Sequence, residues 1–305
     1  MRTFTASVNR PRRERRMFLS LLFLFACQAS HAQNLLPSLE ERIRILCSDS
    51  LEGRRAGTAG ERRAAHLLIQ WLSSVTGEVP ILDSFPFTDE DNTQRKAYNI
   101  YSTLSGLHDS FIVLVAHYDH LGWGGLRSRS LGRHLIHPGA DDNASGVSLL
   151  IEIANYLACT RRRYSYIFAL ISAHEPGLWG AQRLAHFLRQ NLYHKKMLMI
   201  VVLDMVGRMS SDNPQLYVQY FPSDTSLRAM SKVTTYTHSQ FILRFEESPN
   251  LRFTDCLPMI EMGLPCILIT TGYHDDYHRV SDTPEKLNYE GMRNISEYLK
   301  TCCID

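Results

Sequence analysis

Two short stretches carry side chains able to hold a metal ion. Ala116-His117-Tyr118-Asp119-His120 follows directly on a hydrophobic run, 111–115, and Gly139-Ala140-Asp141-Asp142-Asn143-Ala144-Ser145-Gly146 comes some twenty residues later. Three further apolar runs lead into Glu175, Asp204 and His278. Histidine and carboxylate at the carboxyl ends of strands in an α/β chain suggest a metal site, since open parallel sheets build their ligand crevice at that edge. Taken singly, each has a bland explanation: a lone His beside a strand is more often a hydrogen-bonded core residue, and an Asp before a helix is usually an N-cap. Taken together, His117, Asp141, Glu175, Asp204 and His278 put five N and O donors at one sheet edge, which caps do not explain. Two His and three carboxylates without Cys suit the borderline preference of Zn²⁺. One carboxylate shared by two ions would give a site of the two-metal hydrolase type.

The elements that must position these residues alternate along the chain. Apolar periodicity predicts helices over 36–47, from 59 onward, and over 145–158, 179–188, 225–233 and 289–299. Strands are predicted over 80–87, 98–104, 111–116, 166–171, 197–203, 216–219 and 265–270. The loop 121–138 carries Arg127, Arg129 and Arg133 and is long enough to be functional. Without internal repeats or a Pro/Ser-rich linker, one doubly wound α/β domain follows, a mostly parallel mixed sheet with helices on both faces.

Residues 1–32 are of another kind. Arg10, Arg12, Arg13, Arg15 and Arg16 precede the uncharged run 17–26, which is too short to span a bilayer, and Ser30-His31-Ala32 offers small residues for cleavage. The expectation is a signal peptide ahead of a mature domain 33–305, exported to the periplasm or secreted. Arg15-Arg16 resembles a twin-arginine signal, and Cys27 offers a less favoured lipid anchor. Removing six arginines and one glutamate leaves 27 basic and 30 acidic residues, so the net charge of +2 becomes about −3. No basic stripe with interleaved aromatics remains, so nucleic acid is not suggested, and no stable membrane span is expected in the mature chain. The six remaining cysteines lack metal-ligand spacing and read as small apolar residues.

His117-Tyr118-Asp119-His120, the Gly139–Gly146 stretch, Glu175-x-Gly177-Leu178-x-Gly180, Asp204-Met205-x-Gly207 and Tyr277-His278 with Asp282-Thr283 resemble the di-zinc exopeptidases typified by bacterial leucyl aminopeptidase. Leu51-Glu52-Gly53-Arg54 and Gly57-Thr58 look like the amino-terminal region of that family, which belongs to the transferrin-receptor and glutaminyl-cyclase superfamily. The resemblance covers nearly the whole mature chain in order. It implies two Zn²⁺ held by His117, Asp141, Glu175, Asp204 and His278, with Asp141 bridging and the Asp119 carboxylate orienting His117. It also implies peptide substrates with a free amino terminus.

The family normally carries Glu-Glu where this chain has His174-Glu175, the first glutamate being the general base. His174 is then a substitute base, or a ring that cannot serve and leaves a lapsed peptidase, or, least expected, an added ligand. A second departure is Thr254-Asp255-Cys256 for Ser-Asp-His, and no catalytic role is assigned to Asp255. His120 and His274 read as satisfied or surface histidines. The alternatives to an aminopeptidase are an acyltransferase like glutaminyl cyclase, which uses one zinc, and a non-catalytic module like the transferrin-receptor branch.

Overall fold

The strand that ends at His117 lies at the middle of the sheet. Its run of Ile, Val, Leu and Ala is buried from Ile112 onward, as expected for a parallel strand covered on both faces. The computed structural model describes residues 36–304 apart from 132–134, 193–194, 222, 224–230, 232, 235–236, 249–250 and 252. The expected signal segment, with Cys27 and the arginine pair, lies outside the described residues, as do Arg133 and most of the expected helix 225–233.

In spatial order the eight strands are β1 (Ile81–Thr88), β2 (Gln94–Leu104), β4 (Ser165–Ile171), β3 (Ser110–His117), β5 (Lys196–Leu203), β8 (Cys266–Thr270), β6 (Gln215–Tyr220) and β7 (Ile242–Glu247). The central four, β4-β3-β5-β8, run parallel. Antiparallel pairings of β2 with β4 and of β6 with β8 join the flanks, so the sheet is mixed. All four central strands therefore end at one edge, and there stand His117, Glu175, Asp204 and the segment leading to His278.

Helices α1 (Leu39–Leu46), α2 (Ala59–Thr76) and α6 (Tyr289–Ile304) pack against α3 (Gly146–Ala158), while α4 (Trp179–Leu192) packs with α5 (Cys256–Glu261). Connectivity explains the division. The chain steps from β3 through α3 to β4, then back across β3 through α4 to β5, and right-handed crossovers in opposite directions place α3 and α4 on opposite faces. Strand alternation agrees: Val113 and Val115 join the core cluster that includes Ala181, Leu184 and Met259. α1 starts at a capping box, in which Ser38 Oγ accepts from the Glu41 N–H and Glu41 accepts from the Ser38 N–H.

The expected doubly wound α/β architecture is present. β2 starts four residues earlier than its alternation predicts, and β7 and α5 were not foreseen. β7 is an edge strand with Ile242 and Phe245 exposed, so it lacks the inward alternation that would announce it. Cys256, Cys266 and Cys302 are buried thiols. No helix among the described residues is long and apolar enough to cross a membrane.

Candidate metal centre

Each expected residue reaches the carboxyl edge of the sheet, and a network beneath fixes the loops that carry them. Arg54, fully buried, donates to the carbonyls of Tyr118 (2.9 Å), Pro138 (2.8 Å), Gly139 (3.0 Å) and Leu46. One guanidinium thus ties the segment after His117 to the start of the Asp-Asp turn. The turn is closed on its other side by Asn143, whose Oδ1 accepts from the Met205 and Gly146 N–H groups and whose Nδ2 donates to the Leu203 carbonyl. Asp282 accepts from the N–H groups of Asp141 and Asp142 at 3.0–3.1 Å.

Six contacts define the centre. His117 Nε2 lies 3.4 Å from Asp142 Oδ1 and 3.5 Å from Asp204 Oδ1. His278 Nε2 lies 3.3 Å from Asp142 Oδ2 and 3.4 Å from Glu175 Oε2. His120 Nδ1 lies 3.2 Å from Glu175 Oε1 and 3.7 Å from Asp142 Oδ2. Two ligands bound at ~2.1 Å to one tetrahedral ion sit ~3.4 Å apart, so these separations fit shared coordination. Hydrogen bonding does not account for them: His117 Nε2, both nitrogens of His120, Asp142 Oδ2, Glu175 Oε1 and Asp204 Oδ1 are buried without a hydrogen-bond partner. Orphaned buried donors and acceptors are costly unless something else satisfies them. An all-N/O set of His and carboxylate is what Zn²⁺ accepts.

Asp141 is not part of this set, contrary to the reading of the sequence. Its Oδ1 accepts from the Gly207 N–H at 2.6 Å, and its Oδ2 accepts from His274 Nε2 at 3.1 Å. Both oxygens are occupied and turned from the ligands. Asp142 instead offers Oδ1 to His117 and Oδ2 to His278, the placement that a bridging carboxylate would need. His274 is the satisfied histidine expected: its Nδ1 accepts from the Asp276 N–H, which leaves Nε2–H for Asp141.

The surroundings orient the ligands. His117 Nδ1 lies 3.2 Å from the Asp119 backbone carbonyl and 3.7 Å from the Asp119 carboxylate. That carboxylate accepts from the His174 and Glu175 N–H groups at 3.1 and 3.2 Å. Asp119 therefore steers His117 mainly through its carbonyl and the 174–175 segment through its side chain. His278 directs Nδ1 to the Arg127 carbonyl at 3.1 Å, and the Arg129 N–H donates to the His278 carbonyl. The arginine-bearing loop holds a ligand in place.

His174 stacks on His117 with ring centroids 3.9 Å apart and planes 8° from parallel. A nitrogen lone pair lies in its ring plane, so one ion cannot lie in both of two parallel planes. The ring nitrogen of His174 is within 4.8 Å of donor atoms on His117 and Asp204, beside the centre rather than in it. Its Nδ1 is buried and 3.0 Å from Asp255 Oδ1. Burial disfavours the imidazolium, but the Asp255 charge outweighs it and lifts the pKa to about 9. Asp255, which spacing alone did not mark, is fully buried at the start of α5.

Beneath this side lies Glu61, buried, accepting from the Ser172 hydroxyl at 2.6 Å and the Gly57 N–H at 2.7 Å. Burial pushes its carboxyl up to about 7 despite these donors. Next to the centre a cleft of about 670 Å³ opens between Arg55, Glu90, Trp123 and Leu126. Arg55 and Glu90 also line a small pocket together with His120 and Glu175.

Residues 99–302 match the family described as Peptidase family M28. A probable zinc metalloprotease of Leptosphaeria maculans is 27% identical over 166 residues, covering 54% of this chain and 34% of that protein. The match thus spans about a third of that relative's length. Among solved structures, a leucine aminopeptidase precursor from Bacteroides thetaiotaomicron superposes with a TM-score of 0.73 at 17% identity, covering 88% of this chain and 96% of that one. Porphyromonas gingivalis glutaminyl cyclase superposes with a TM-score of 0.72 at 21% identity, covering 87% and 96%. At such identities the structures share the fold.

Proposed function

The chain belongs to peptidase family M28, and from that premise we propose that it is a two-zinc aminopeptidase that removes amino-terminal residues from peptides. The observation that carries this reading is Asp142, whose two oxygens face separate groups of donors, His117 with Asp204 and His278 with Glu175, at 3.3–3.5 Å along the direct contacts. A carboxylate so placed suits two ions held side by side, and a single-zinc acyltransferase would not need the first group.

Two zinc ions there would lower the pKa of water and polarise the scissile carbonyl. The remaining work falls to protein groups. Asp255 lies 3.0 Å from His174 Nδ1 and by itself favours the imidazolium, whereas two zinc ions beside the ring would oppose that charge and leave Nε2 as the proton acceptor. His174 would take a proton from the attacking water at Nε2 and return it to the leaving amine as the C–N bond breaks, the water oxygen remaining on the new carboxylate. The stack on His117 keeps the ring beside the centre without occupying a coordination position. The charge on Asp255 stabilises the imidazolium formed between the two transfers, as a buried carboxylate does for any His base.

Export is part of the proposal and rests on residues 1–32. The mature protein should begin near Gln33; an intact Met1 on protein recovered outside the cytoplasm would overturn it.

The test is a panel of zinc-loaded assays on leucyl, alanyl and glutaminyl peptides and their N-acetylated forms. Release of free amino acid from the unblocked peptides alone is expected. Ammonia release from the glutaminyl peptide without hydrolysis would point to cyclisation instead.

A further inference from the structure

His120 is read from sequence as a histidine satisfied elsewhere, and the structure gives it no such partner. The ring is fully buried, and neither nitrogen makes a hydrogen bond among the described residues. Its polar contacts are with two carboxylates of the centre, Glu175 Oε1 at 3.2 Å and Asp142 Oδ2 at 3.7 Å, both through Nδ1. The backbone makes room for this placement. Gly139 packs directly on the ring, and a Cβ there would come within 2.6 Å of His120 Cγ and Cδ2. The ring of His278 meets His120 nearly edge-on at 5.9 Å and 75°, an arrangement in which two imidazole planes can converge on one point.

Resting on the metal reading above, we propose that His120 is a fourth protein ligand at the inner position, through Nδ1, beside Asp142, Glu175 and His278. With His120 added, four protein groups would surround the inner position, and the side of Asp204 is left as the more exposed of the two. Four protein ligands characterise structural zinc sites, whereas catalytic sites keep a position open. Of the two outer residues, His117 and Asp204, His117 is as buried as the inner ones, and the exposure belongs to Asp204. The side chains of His120, Asp142, Glu175 and His278 are 0–8% exposed, whereas Asp204 reaches 15% and the neighbouring His174 12%.

The test uses the full mature protein titrated with zinc against a chromophoric chelator, and with cobalt(II) followed by visible absorption. Wild type should take up two ions, one tightly, with the intense band of a four-coordinate site. His120→Gln should weaken that ion on the order of 10²-fold and lose the band while the other ion is retained. His120→Ala should weaken the same ion at least as much. If His120→Gln keeps both affinities and the band, His120 is not a ligand although the metal reading stands. If wild type binds neither ion, both fall. Should the variants fail to fold, a crystal structure of the zinc-loaded wild type decides. Nδ1 within ~2.1 Å of an ion supports the proposal, and no ion within ~3 Å of Nδ1 overturns it.

Discussion

On the inner side of Asp142, His120, Glu175 and His278 are enclosed by the 121–138 loop and by Gly139. On the outer side are His117, fully buried, and Asp204, 15% exposed, with His174 stacked on the first and 3.0 Å from Asp255. On the proposed reading, Asp142 would serve one side that retains an ion and one side that meets the substrate. On that reading, His174, where the resembling family carries glutamate, would handle the proton while other residues retain the ions.

The comparison makes its strongest demand on His174. His174→Ala should lower kcat on the order of 10²–10⁴-fold while the zinc content stays at the wild-type level. Loss of zinc along with activity would make His174 a ligand and erase the distinction between the two sides.

Arg54 underlies both sides at once, since its guanidinium joins the Tyr118 and Gly139 carbonyls. Arg54→Ala strands several buried acceptors, so stability measured by chemical denaturation should fall by about 3 kcal/mol or more. An unchanged midpoint would show that the two loops hold their places unaided.

Glu61 lies beneath the centre, where it accepts from the Ser172 and Tyr118 hydroxyls. Its folded pKa of about 7 exceeds the ordinary 4.5 of the unfolded chain. The folded protein therefore keeps a proton that the unfolded chain has lost between those values. Its stability contribution is full below about pH 4.5 and is lost as pH rises through 7. Between pH 5 and 8 wild type should lose up to about 3 kcal/mol relative to Glu61→Gln. Parallel stability curves for the two proteins would contradict this.

Asp255→Asn should have the smallest effect, lowering kcat on the order of 10-fold with KM and zinc content unchanged. A change in KM alone would make Asp255 part of the pocket wall rather than a positioning residue for the base.

Much of this was legible in the sequence. Apolar runs ending in His117, Glu175, Asp204 and His278 mark the sheet edge, because a buried parallel strand must be apolar and its carboxyl end opens onto the crevice. What was not legible depends on rotation about single residues. Asp141 and Asp142 have identical chemistry and adjacent places, and only the folded turn shows which of them finds Gly207 and His274 and which faces the histidines. His120 could be judged only once its surroundings were seen to lack any hydrogen-bond partner. Asp255 reaches His174 across 81 residues of sequence, and no local pattern signals such a contact. The edge strand β7 escaped notice because half-exposed strands carry little periodicity.

The most direct test is to measure zinc content and peptide hydrolysis together for Asp142→Asn and Asp141→Asn, each confirmed folded by circular dichroism. The account predicts that Asp141→Asn keeps both ions and measurable turnover, while Asp142→Asn loses zinc and turnover together. An Asp142→Asn protein that retains two zinc ions and full activity would contradict it.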